Sequence, residues 1–153
     1  MRLETAIGRI KAAGHDISDE YTKERCIEFL NTALQQTSSL LISAQYPALV
    51  KEVLVRNGDR LPQNYMKAAG TYPIRMTAGR AEIIDGSNSV RFRYWATPDL
   101  LDELTEELPY PHDAINDVVV RAAIILALNE NEYDVTQDSN LLTALQNAIA
   151  SAM

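Results

Sequence analysis

Val90-Arg91-Phe92-Arg93-Tyr94-Trp95-Ala96-Thr97-Pro98 (VRFRYWATP, residues 90–98) threads two arginines through three aromatics and stops on a proline. Side chains along a strand alternate between two faces. Val90, Phe92, Tyr94 and Ala96 therefore share one face, and Arg91, Arg93 and Trp95 share the other. The first face reads as core. The second is basic and ends in an aromatic, a pattern that suits a nucleic-acid surface, an exposed polar face or a docking strand. Pro98 ends the run, because proline has no amide to donate to a ladder.

The neighbouring residues 80–85 pair with 90–97 as a predicted β-hairpin. Its turn is Asp85-Gly86-Ser87-Asn88-Ser89, where glycine supplies a positive φ. Residues 48–55 (ALVKEVLV) read as a short strand followed by the turn signal Asn57-Gly58-Asp59. Between that turn and Gly79 the punctuation is irregular: Leu61-Pro62, Gly70, Tyr72-Pro73. This predicts a long loop with short extended pieces around Pro73–Thr77. Loops of that length are uncommon unless functional or held by a partner.

The two ends of the chain carry helical periodicity. Leu3, Ile7 and Ile10 make an apolar stripe in residues 2–13, with Gly14 placed as a C-cap. Asp16 or Ser18 is positioned to cap a second helix over about 19–45, whose stripe is Ile27, Leu30, Leu34, Leu41 and Ala44 and which Pro47 stops. Cys26 flanks that stripe, so packing is its expected role. The polar patch Gln35–Ser39 predicts a kink or an exposed side. Asp113 is placed to cap a helix over about 114–130 that is apolar nearly all round and so is buried on all sides. Arg121 is the only basic residue in that region, and pairing with an acid is expected. Thr136, Asp138 or Ser139 caps a last helix with the stripe Leu141, Leu142, Leu145, Ala148, Ile149 and Ala152. Before the third helix, Asp99, Asp102, Glu103, Glu106 and Glu107 sit among leucines as a short acidic turn or surface loop, ended by Pro109 and Pro111. The expected fold class is α+β, mainly α: one domain over 1–153. In it 1–45 and 112–153 form a helical bundle, 46–97 a strand, loop and hairpin insertion, and 98–111 an acidic connector.

The composition sets limits on function. The chain has 153 residues, 46% hydrophobic and 23% charged, enough for one domain with a real core. No apolar run approaches the roughly 20 residues that span a bilayer, and the first residues lack a signal-peptide pattern. One cysteine excludes an intramolecular disulfide and fits assembly in a reducing cytosol. The net charge of −7 is unevenly spread: −1 over 1–45, +4 over 46–96 and −10 over 97–153. Such blocks report on interaction surfaces or on solvated faces. The sharper reading is self-complementarity, the basic middle of one copy meeting the acidic end of the next. That contact is heterologous, closing into a ring or opening into a filament.

Catalytic chemistry finds little footing. His15 and His112 each precede an aspartate, but adjacency in sequence is not triad geometry. Two histidines and one cysteine lack the spacing of a metal site, and no phosphate-binding glycine pattern occurs. No catalytic residue, metal ligand or cofactor is expected. A small nucleic-acid-binding regulator using the 80–97 hairpin is the alternative, because Arg91, Arg93 and Trp95 suit phosphate contact and stacking. The acidic balance of the whole chain argues against it.

RCIEFLNTALQQ (25–36), YPI (72–74), RFRYWATPDLL (91–101) and LPYPHDAINDVVVRAAIILALNENEYD (108–134) follow one another in an order that resembles the head–tail connector, or adaptor, proteins of tailed bacteriophages. Those have an N-terminal helix carrying an Asn-Ala step, a strand ending in an aromatic and a proline, and a Leu-Pro-led helix ending near an acidic cluster. The resemblance implies a non-enzymatic virion protein, assembled in the host cytoplasm, at the neck of the particle. It implies a ring, typically of twelve copies, between the portal protein and a tail or nozzle protein. Double-stranded DNA passes through such a ring without specific recognition, and no membrane is involved. Candidate subunit or portal contacts are Arg75, Arg80, Arg91, Arg93 and Trp95 on the basic side, and Asp102, Glu103, Glu106 and Glu107 on the acidic side.

Overall fold

A computed structural model describes residues 1–13, 22–128 and 138–152. The chain folds into two units, Met1–Ala44 with Pro98–Met153, and Gln45–Thr97.

The first unit is helical. Among its described residues it holds α1 (Leu3–Ala13), α2 (Lys23–Ser43), α3 (Asp113–Leu128) and α4 (Ser139–Ala152). α2 begins where the Thr22 side chain accepts a hydrogen bond from the Arg25 amide, satisfying one of the donors a helix start leaves open. The expected caps Asp16 and Ser18, the Gly14 cap and His15 lie outside the described residues, as does Thr136. Asp138 caps α4, its carboxylate accepting from the Leu141 amide at 3.0 Å. α2 ends at Ser43, with Gln45 at φ +59, before Pro47 opens a 3-10 turn, Pro47–Leu49. α3 is buried on several sides through Ile115, Val118, Val119, Val120, Ala122, Ala123, Leu126 and Ala127, while Arg121 is exposed. Cys26 is fully buried.

The polar patch of α2 is split between an exposed side, with Gln35 and Ser39, and the core. Thr37 and Ser38 are fully buried. Each hydroxyl turns back onto its own helix, Thr37 to the Ala33 carbonyl at 2.7 Å and Ser38 to the Leu34 carbonyl. Ser38 also meets the Tyr110 hydroxyl at 3.0 Å. A hydroxyl satisfied this way is a small core residue.

The second unit corrects the expected fold class. Among the described residues the molecule is α+β with five strands in two sheets, not a mainly helical bundle with one inserted hairpin and a long loop. The strands are β1 (Val50–Arg56), β2 (Tyr65–Ala68), β3 (Ile74–Thr77), β4 (Arg80–Ile83) and β5 (Ser89–Ala96). β5 does not pair with β4. It is the middle strand of a three-stranded antiparallel sheet ordered β1-β5-β2, with Phe92 opposite Val53 and Tyr94 opposite Ala68. β4 pairs with β3 in a separate hairpin. Its two-residue turn is Ala78-Gly79, both at positive φ, +51 and +77. That is the turn handedness that matches strand twist. The prolines and glycines read as loop punctuation are separators between short strands.

The Asn57-Gly58-Asp59 turn holds, and it ties β1 to β4. Asp59 caps the turn through the Arg56 amide at 2.8 Å, and Asn57 Oδ1 accepts from the Ile83 amide at 2.7 Å. Gly58, at φ +86, donates to the Ala81 carbonyl at 2.7 Å. The core of this unit is Val55, Ala81, Phe92, Tyr94 and Ala96, with Tyr65, Tyr72, Ile74 and Met76 packed against it. Phe92 is its centre, with ring centroids 5.0 Å from Tyr72 edge-on and 5.9 Å from Tyr94 and Tyr65. The core face read from alternation, Val90, Phe92, Tyr94 and Ala96, is the face packed here, with Val90 half-buried.

Candidate interface

Because β5 is paired on both sides, its outward side chains stand in the middle of a sheet face. Arg91 lies opposite Leu54, Arg93 opposite Glu52, and Trp95 opposite Val50 on β1 and Lys67 on β2. Arg91, Arg93, Lys67, Glu52 and Leu54 are exposed. Among the described residues the ion pairs are Arg9–Asp117 at 2.6 Å and the Met1 amine–Asp113 at 3.1 Å. Arg91, Arg93 and Lys67 make none there, and the carboxylate across the strand from Arg93 is Glu52.

Trp95 has the register of this face but is only 9% exposed. It forms the wall of an open cleft of about 430 Å³ together with Gln45, Val50, Lys67, Arg93 and the chain through Ala68–Gly70. A bulge between Tyr65 and Lys67 breaks the β2 register beside it. The expected projecting aromatic is thus a buried wall of a cleft that two cations also line. Arg75 and Arg80 lie on the β3–β4 hairpin instead. Arg75 stands opposite Glu82, and Arg80 donates to the Gly58 carbonyl at 3.1 Å. Lys67 and Leu54 complete the face and are absent from the sequence-derived set. Strand β2 is only four residues long and sits inside what reads as loop, so its alternation has too few positions to show.

In the helical unit the acidic connector is held as an ordered, non-helical segment. Two helix asparagines clamp its backbone as a neighbouring strand does. Asn31 donates to the Leu101 carbonyl at 3.0 Å and accepts from its amide at 2.7 Å. Asn116, fully buried, does the same to Tyr110 at 2.9 and 3.3 Å and also donates to Asp113. The segment also bridges the N-terminal residues, Leu3 donating to the Glu106 carbonyl at 2.9 Å and Leu108 to the Met1 carbonyl at 2.8 Å. Leu101, Leu108 and Tyr110 are its buried anchors. Asparagine is a poor helix former that competes for backbone. Asn31 and Asn116 inside apolar helices were therefore the available signal for these clamps.

Between those anchors Asp102, Glu103 and Glu107 are exposed. Glu106 is not part of that outward set. Its Oε1 accepts from the amides of Glu103 at 2.9 Å and Asp102 at 3.2 Å, closing the turn. Leu100 projects among the acids, 59% exposed. Asp113 is held below the usual carboxylate range by the hydrogen bond from the Met1 amine, by Asn116 and by the amine's charge.

Among the described residues no group of three His, Cys, Asp or Glu side chains could hold a metal ion. No helix among them is long and apolar enough to cross a membrane. No protein-family model matches the chain, and no curated protein matches its sequence.

Proposed function

We propose that this chain is a non-enzymatic head–tail connector of a tailed bacteriophage particle, a ring subunit joining a portal protein to a tail or nozzle protein. One observation supports this most directly: the charge divides along the boundary between the two units. Residues 45–97 carry +4, and the residues of the helical unit carry −11. A chain with opposite charge on two compact units is suited to head-to-tail association of copies, which closes a ring. Its acidic majority suits a passage for DNA, since like charge keeps phosphates from adhering. The test is location. Imaging purified particles with the protein labelled should find it at one vertex, in the neck, with a mass corresponding to about twelve copies. Even distribution over the capsid shell, or absence from particles, overturns the reading.

A second reading, a small nucleic-acid-binding regulator, draws on exposed Arg91, Arg93 and Lys67, the last two lining the Trp95 cleft. It requires salt-sensitive binding that falls when Arg91 and Arg93 become alanine. Absence of binding at low salt removes it.

A further inference from the structure

We infer that the outer face of the β1-β5-β2 sheet receives the acidic connector, residues 99–107, of a second copy of the same chain. The inference rests on the connector reading for its biological setting but on the structure's own chemistry for its contact.

The two surfaces complement one another in composition. The sheet face offers three exposed cations, Arg91, Arg93 and Lys67, against one exposed carboxylate, Glu52, with an exposed apolar side chain, Leu54, opposite Arg91 and a cleft lined by Trp95, Lys67 and Arg93. The connector offers three exposed carboxylates, Asp102, Glu103 and Glu107, beside an exposed leucine, Leu100. Among the described residues none of these six charged groups belongs to an ion pair. The inward turn of Glu106 keeps it out of the contact.

The connector is also rigid enough to serve as a docking ledge. Its backbone is fixed at Leu101 by Asn31, at Tyr110 by Asn116, and at Glu106 and Leu108 by the N-terminal residues. A segment already ordered loses little conformational freedom on binding. Leucine is shielded and carboxylates are desolvated only if cations meet them, so an apolar contact ringed by opposite charges is self-consistent. A nucleic acid fits the cations equally well, but it approaches a chain whose helical unit carries −11. The chain's own carboxylates are also present at equal stoichiometry.

The experiment is a charge exchange on the full chain, read by sedimentation and native mass. Wild-type protein should self-associate at low salt. Arg91→Glu with Arg93→Glu, and separately Glu103→Lys with Glu107→Lys, should each weaken association at least about tenfold. All four positions are exposed, so the fold should persist, checked by circular dichroism. An equimolar mixture of the two variants should reassemble, because each then presents what the other lost. Wild-type-like association of either variant, a mixture that stays apart, or a wild type that is monomeric at about millimolar concentration overturns the contact. So does duplex DNA binding that the arginine changes abolish while self-association is absent. These results stand apart from the function: a reassembling mixture from a protein absent from phage necks keeps the contact and removes the connector role, and a monomer found at the neck does the reverse.

Discussion

Ala78 holds a conformation that most residues avoid. Its φ of +51 lies in the left-handed region, where a Cβ crowds the following carbonyl at about 1–2 kcal/mol. The Ala78-Gly79 turn requires that conformation, and asparagine adopts it with less strain. Ala78→Asn should therefore stabilise the protein by about 0.5–1 kcal/mol, seen as a raised denaturant midpoint with an unchanged slope. A lowered midpoint would show that the turn's strain lies elsewhere. Asn116 is the opposite case. Its side chain satisfies both backbone groups of a buried residue, Tyr110. Asn116→Ala removes both hydrogen bonds and opens a small void, a loss of about 2–4 kcal/mol in the same measurement. Asp113 brings a pH dependence. Its carboxyl is held low in the folded chain, so the stability it contributes is present above its ordinary unfolded value. That stability is lost as the pH falls through the lower folded one. Asp113→Asn should lower the thermal midpoint slightly at neutral pH and flatten its decline on the acid side, within that window.

β5 is the element whose alternation was legible and whose partners were not. Its two faces could be assigned from nine letters, since period-2 alternation is local. Phe92 is the centre of a cluster with three tyrosine rings and almost fully buried, so Phe92→Ala should cost about 3–5 kcal/mol. The loss should appear first in amide exchange of β1, β2 and β5. Protection unchanged in those strands would show that the sheet does not depend on the cluster. Strand pairing is a non-local property, and here the nearest strong turn signal misdirected it. Asp85–Ser89, with Gly86 at φ +80, is a genuine turn, with the Ser87 amide donating to Asp85 at 2.9 Å. Yet the strands it joins pair with other strands. The working hairpin turn is Ala-Gly, which lacks the Asn or Asp that usually marks positive φ. Helices were more legible: 16 residues of α3 and 21 of α2 supply several periods of the apolar stripe. The acids of the connector were visible as a run. Which of them point outward depended on the Glu106 turn and the asparagine clamps, which no spacing rule encodes.

Across the molecule, electrostatics separates the two readings of the basic sheet face more sharply than shape does. A duplex approaching Arg91, Arg93 and Lys67 sees +4 on one unit but −7 on the chain as a whole. At about 0.1 M salt the Debye length is roughly 10 Å, so a phosphate at the sheet face responds mainly to charges within that distance. At about 0.01 M it is roughly 30 Å, and the acids of the whole chain act on the duplex together. For a dedicated nucleic-acid binder, lowering salt strengthens binding steeply, because counterions are released from phosphates. For this chain the growing repulsion opposes that gain. Fluorescence anisotropy with a labelled duplex should give a dissociation constant weaker than about 100 μM at physiological salt, with a shallow salt slope. Micromolar affinity with a slope corresponding to several phosphates would identify the face as a nucleic-acid surface. Weak, flat binding alongside salt-sensitive self-association instead assigns the arginines to protein carboxylates.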